Sequence, residues 1–314
     1  MKLEDYKGKR ILITGGTGFV GKNLVPYLQK LGAEVFVFGS KDCDLRDKEQ
    51  TDILFARYSN IDFIFHGAAL QGAGDYTLKH PAEQLYANSL IHANVLEAWY
   101  RYQPQARLIG FGSTCSYPGD KDKLAETDYL TGRLHDSVQY YGLTKMLMQQ
   151  GIEAYKTQYG LKGTTVAFAT LYGPHDDFDI NRAHVVSALV MKFCNAKKQN
   201  LPTVEVWGDG TQLRELIYVD DQIRGLLTTA DYDGALLNIG SGTETSVRTL
   251  AESIKFISGF QGEIVYNTNR FVGVLRKVLD VSLAKELYGW TVSPPLLTLG
   301  EGLERTIHWY ENNY

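Results

Sequence analysis

The 314-residue sequence predicts an α/β protein in which a doubly wound parallel sheet is interleaved with a smaller α/β domain. Three observations carry that expectation. Over the first 170 residues short apolar runs alternate with helical patterns, the rhythm of successive βαβ units. A glycine-rich turn joins the first apolar run to the first helical pattern. After Leu171 the texture changes to polar loops and short strands.

Taken in order, RILIT (Arg10 to Thr14) is a short buried strand, and a helix pattern follows from Phe19 to Leu31. EVFVF (Glu34 to Phe38) is the second strand, with a helix near Lys48 to Arg57 behind it. FIFHGAA (Phe63 to Ala69) is the third strand, a long helix runs from about Ala82 to Tyr102, and RLIGFG (Arg107 to Gly112) is the fourth. A helix from Tyr140 to Tyr159 leads into the strand TTVAFAT (Thr164 to Thr170). These runs lack the polar alternation of half-exposed strands, which suits a parallel sheet covered on both faces. Beyond them come a helix from about His184 to Ala196 and the strands VEVW (Val204 to Trp207) and LIYV (Leu216 to Val219). LLNIG (Leu236 to Gly240) reads as a strand returning to the first sheet. The expected division is 1–170 plus a returning segment near 215–245 for the first domain, and 171–214 with 246–314 for the second.

Composition narrows the function. A net charge of −4 gives no support for nucleic acid or an anionic membrane as partner. Cys43, Cys115 and Cys194 are odd in number and form no C-x-x-C. That argues against a disulfide framework or a zinc site and for a reducing compartment. Asp176, Asp177 and Asp179 lie in a loop without a histidine ligand pattern, and Asp220 and Asp221 read as caps opening a helix, so no metal is expected. The opening MKLEDYKGKR has no apolar h-region and no apolar run reaches transmembrane length. A soluble cytoplasmic protein is the expectation.

TGGTGFVG (Thr14 to Gly21) contains G-x-G-x-x-G between the first strand and the first helix. Glycines there let backbone approach a pyrophosphate, and the helix N-terminus supplies N–H donors, so a Rossmann-type dinucleotide site is predicted. An acid at the end of the second strand would bind the ribose of NAD and repel the 2′-phosphate of NADP. Here Phe38 is followed by Gly39, Ser40 and Lys41. That favours NADP(H) over NAD(H). In YYGLTK, Tyr141 and Lys145 stand four apart on one face of a helix. A lysine charge beside a phenol stabilises the phenolate, so the pair can exchange a proton with a carbonyl oxygen as hydride moves.

With GSTCSYP, LYGPHDDFDINRAHV, VEVWGDG, LRELIYVDD and RKVLDV added, the chain resembles the extended short-chain dehydrogenase/reductases over nearly its whole length. Within them it is most similar to the GDP-L-fucose synthases, 3,5-epimerase/4-reductases of a GDP-linked 4-keto-6-deoxyhexose. The resemblance implies Ser113, Tyr141 and Lys145 as the reductase triad, and Cys115 with His184 as the base and acid that invert C3 and C5. A ketone at C4 acidifies those carbons, and a thiolate and an imidazole are competent partners for such protons. The turn and the resemblance together place the cofactor on Gly15, Gly18, Phe19, Val20, Gly21, Ser40, Lys41, Asp44, Leu45, Ala68, Ala69 and Asn88, as well as Tyr141 and Lys145. The resemblance also implies Val185, Leu189, Val206 and Trp207 around the base, and Arg214 and Lys277 on the diphosphate. The chain departs from the pattern at Thr170, Val272 and Lys192 (a further substrate contact), and in the sugar loop at Gly72, Ala73 and Gly74. Those departures leave another 4-keto sugar nucleotide, for example a 3,6-dideoxy sugar, as the alternative substrate. The non-enzyme alternative is a dinucleotide sensor of the same fold. A 4,6-dehydratase is disfavoured because Thr114 and Cys115 stand where its acidic pair would. A homodimer through the two long helices is implied by the resemblance alone.

Overall fold

The computed structural model describes residues 1–73, 75–270, 272–292 and 298–314. The first half runs β1 (Arg10–Thr14), α1 (Phe19–Lys30), β2 (Glu34–Phe38), α2 (Lys48–Arg57), β3 (Phe63–His66), α3 (Asp75–Lys79), α4 (Pro81–Tyr102), β4 (Arg107–Ser113), β5 (Lys123–Leu124), α5 (Gln139–Tyr159) and β6 (Gly163–Phe168). The second half runs β7 (Thr170–Tyr172), α6 (Val185–Lys198), β8 (Thr203–Trp207), β9 (Leu213–Arg214), β10 (Leu216–Tyr218), α7 (Val219–Thr228) and β11 (Leu236–Ile239). It ends with β12 (Thr245–Ser246), α8 (Val247–Ser258), β13 (Glu263–Asn267), β14 (Arg276–Leu279), α9 (Ser282–Tyr288) and α10 (Leu299–Asn313).

Six strands form one parallel sheet in the order β2-β1-β3-β4-β6-β11. Successive side chains of a strand point to opposite faces. Ile11, Ile13, Phe63 and Phe65 therefore pack with Leu24 and Leu28 of α1, while Leu12, Ile64 and Leu108 pack with Trp99 of α4 and Met148 and Ile152 of α5. Both faces are covered, which is why these strands read as unbroken apolar runs. The winding reverses between β1 and β3, and ligands of such sheets sit outside the carboxyl ends of strands at that point.

Two strand expectations need correction. Strand β3 ends at His66 because Gly67 to Ala69 leave the sheet and cross the carboxyl end of β1, with the Gly67 N–H donating to Thr14 O at 3.1 Å. The single strand expected from Thr164 to Thr170 is two. Phe168 is the last residue held by β4 and β11, and beyond it Thr170–Tyr172 pairs with β10. Of the expected returning segment near 215–245, Leu216–Tyr218 joins that small pair, α7 packs on α1, and β11 alone enters the main sheet.

The remaining strands build a lobe beside the carboxyl ends. β8 pairs with β13, and β9 lies between β12 and β14, which itself meets β5. Helices α6, α8 and α10 pack on one another behind them. The α7 start corrects one further reading: Asp220 and Asp221 lie inside its first turn, and no side chain caps it. Asp221 instead pairs with Arg224 at 3.0 Å. The carboxylates still complement the helix dipole from that position.

Candidate active site

A cleft of about 900 Å³ opens along the carboxyl ends of the parallel strands and under the second lobe. Its floor is the turn after β1. A Cβ added to Gly15, which has φ +73, would lie 2.7 Å from the Ala68 nitrogen, and one added to Gly21 would lie 2.4 Å from Gly16 Cα. Side chains are excluded there, so backbone can approach a phosphate. The α1 N-cap, Gly18, makes no side-chain cap bond, which leaves first-turn N–H groups to an anion. The residues thus fit a dinucleotide. Phe19, Val20, Ser40, Asp44, Leu45, Ala68 and Ala69 line the same cleft.

Two expected cofactor residues stand elsewhere. Asn88 is fully buried and clasps Leu70, accepting from its N–H at 2.7 Å and donating to its carbonyl at 3.1 Å. It shapes the loop after β3 from behind. Lys41 is exposed and is not among the residues facing the cleft. The cation at that rim is Arg46, which no motif marks in the sequence. It holds Asp44 in a two-pronged pair, with contacts of 2.6 and 2.9 Å. This lowers the Asp44 carboxyl below its ordinary range. Asp42 is likewise engaged, its Oδ2 accepting from the Gly39 N–H at 2.9 Å.

Ser113 ends β4, and its Oγ accepts from the Cys115 N–H at 3.1 Å, capping the short turn Thr114–Ser116. Tyr117 anchors that turn by donating its hydroxyl hydrogen to Asn238 on β11. Tyr141 and Lys145 rise from α5 beside it, 8% and 3% exposed. The Lys145 ammonium lies 5.7 Å from the Tyr141 ring centre. Burial, with charge on Cys115 adding to it, pushes the phenol well above its ordinary value. Burial also brings Lys145 down to about 8.

His184 holds the N-cap position of α6, its side chain making no cap bond, and lines the same cleft. Burial and the Lys277 ammonium hold its ring below the ordinary range. The Gln71 amide N–H donates to His184 Nε2 at 2.9 Å. Gln71, 113 positions away along the chain, carries no motif that could have marked it.

Val185, Leu189 and Val206 line the distal end, with Trp207 and Lys192. Lys192 Nζ lies 5.2 Å from the Trp207 ring centre and donates to the Glu205 carbonyl at 2.9 Å. Arg270, also unforeseen, lies 5.3 Å from the same ring. Strand pairing sets Arg214 beside Lys277. Thr170, Val272, Gly72 and Ala73 also line the cleft, whereas Gly74 lies outside the described residues. Cys194 is buried in the α6 core, where burial pushes its thiol up to about 12. Cys43 is also buried.

One cleft therefore joins a glycine turn, a Ser-Tyr-Lys set and a Cys-His pair. Residues 11–240 match the model of the NAD dependent epimerase/dehydratase family. The chain belongs to that family. It is 32% identical over 311 residues to a probable GDP-L-fucose synthase 1 of Oryza sativa subsp. japonica, covering 98% of this chain and 93% of that one. Among solved structures it is similar to a GDP-6-OMe-4-keto-L-xylo-heptose reductase from C. jejuni, with TM-score 0.89, 26% identity, and 100% and 99% of the two chains covered. It is also similar to a GDP-L-fucose synthetase from Naegleria fowleri bound to NADP, with TM-score 0.87, 25% identity, and 98% and 95% covered.

Proposed function

We propose that the protein is an NADPH-dependent epimerase/reductase of a GDP-linked 4-keto-6-deoxyhexose, inverting C3 and C5 and then reducing C4. The observation that carries this reading is the meeting of Ser113, Tyr141 and Lys145 with Cys115 and His184 in one cleft. Bound NADPH supplies the hydride. Gly15, Gly18, Gly21 and the α1 N-terminus would hold its diphosphate, and Ser40 and Arg46 would meet the 2′-phosphate. Ser113, its Oγ already accepting from Cys115 N, donates its own hydrogen to the C4 oxygen of the sugar. Tyr141 gives that oxygen a proton during reduction, and the Lys145 charge steadies the phenolate left behind. For inversion, Cys115 removes the proton next to the ketone and His184 returns one from the other side. Gln71 fixes the imidazole orientation for that transfer.

The distal wall of Trp207, Lys192 and Val206 takes the base, and Arg214 takes the diphosphate. The domain division remains 1–170 with the return near 215–245, against 171–214 and 246–314. A cytoplasmic homodimer is part of the same proposal. Support comes from the free state of all three cysteines and from exposed apolar residues on α4 and α5. Among the described residues no helix is long and apolar enough to cross a membrane. The test is to mix the protein with GDP-4-keto-6-deoxymannose and NADPH. NADPH is consumed and NMR of the product shows a GDP-6-deoxyhexose inverted at C3 and C5; failure to oxidise NADPH would overturn the reading.

A further inference from the structure

Lys277 stands where the second lobe touches the catalytic turn. The register of β14 on β9 places it beside Arg214, and β14 packs against the turn Thr114–Ser116. Its side chain crosses to that turn, and Nζ donates to Cys115 Sγ at 3.4 Å. The same ammonium acts on His184. Lys277 thus contacts the Cys115 sulfur directly and bears on His184 through its charge alone.

The sulfur is half-buried in the cleft. An isolated anion there would lose hydration. An ammonium at hydrogen-bond distance offsets that loss with a charge-assisted bond and favours thiolate over thiol. The Ser113 oxygen accepts from the Cys115 backbone N–H, and Tyr141 and the Lys145 ammonium on α5 also face Cys115.

We propose that Lys277 is a positioning residue that keeps Cys115 as the thiolate used for proton abstraction. This rests on the reading of Cys115 as the base. In the step it supports, the S–H bond forms as the C–H bond beside the ketone breaks, and the electron pair passes to the C4 oxygen as an enolate. Lys277 keeps all its protons throughout. The proposal gives one lysine a duty at the reacting carbons, in addition to the diphosphate contact expected from the sequence.

The full-length protein tests this without substrate or cofactor. Iodoacetamide labelling of Cys115 is followed by mass spectrometry of its peptide across a pH series, with buried Cys43 and Cys194 as internal references. Lys277→Met should label about tenfold more slowly at neutral pH, with its profile displaced to higher pH, while Lys277→Arg stays near the parent. If the Met variant does not melt cooperatively, Lys277→Gln takes its place. Equal rates and superimposable profiles for parent and neutral variant would overturn the proposal. A separate measurement guards the underlying reading. If Cys115→Ser exchanges the C3 and C5 protons of the 4-keto substrate with heavy water as fast as the parent, Cys115 is not the base. The labelling result would then stand as a property of the thiol alone.

Discussion

Burial holds the Tyr141 phenol above its ordinary value, and in the proposed reduction it donates its proton as negative charge develops on the C4 oxygen. Tyr141→Phe should lower kcat for reduction by roughly a hundredfold to ten-thousandfold while NADPH affinity changes little. Single-turnover NADPH oxidation and a fluorescence titration of the cofactor read these two quantities. Arg46 makes a different expectation. Arg46→Ala removes a cation from the rim and releases Asp44 from its ion pair. NADPH should then bind more weakly while NADH is spared or improved, as a comparison of the two dissociation constants would reveal. Replacing Gly39 by an acid is a poorer probe, because a Cβ there would meet Thr17 Oγ1 at 2.6 Å. Tyr141 and Lys145 are legible in the sequence because their roles depend on a four-residue spacing that a helix converts into proximity. Arg46 and Gln71 are not. The first gains meaning from the closing of a loop, and the second from contact with a segment far along the chain.

The segment between β7 and α6 contains a buried acid that the catalytic steps leave unused. Asp176 is 6% exposed, its Oδ1 accepts from the Asp177 N–H at 2.8 Å, and the Ser187 hydroxyl also acts on its carboxyl. Burial raises its carboxyl to about 7. The folded chain thus keeps this proton up to about neutral pH, whereas the unfolded chain releases it in the ordinary carboxylate range near pH 4. Between those values folding takes up a proton, so this group's contribution to stability falls as pH rises through the window. Asp176→Asn, which keeps an acceptor but carries no charge, should melt higher than the parent at pH 8. That advantage should shrink toward pH 5, and thermal melts of both proteins across the range would measure it. The main strands are legible from apolar runs, since a strand buried on both faces needs little else. The split at Ala169 is not, because one strand and two collinear strands share the same local pattern. Which partner each half finds is decided by β11 and β10, both far along the chain.

The outer surfaces of α4 and α5 leave Leu85, Tyr86, Tyr140, Leu143 and Leu147 exposed. Tyr140, Leu143 and Leu147 follow helical spacing and form one stripe, an arrangement suited to a helix-pair interface with a second copy. Sedimentation should report a dimer for the parent and a monomer for the variant carrying both Leu143→Glu and Leu147→Glu. A monomeric parent would remove the homodimer from the proposal. For the molecule as an enzyme, the decisive question is whether proton exchange and hydride transfer occur in the same cleft. The reaction of GDP-4-keto-6-deoxymannose with NADPH, run in heavy water and followed by NMR, answers it. The proposed chemistry places deuterium at C3 and C5 of the inverted sugar and an undeuterated hydride from NADPH at C4. Reduction at C4 with protium retained at both neighbouring positions would contradict the roles given to Cys115 and His184.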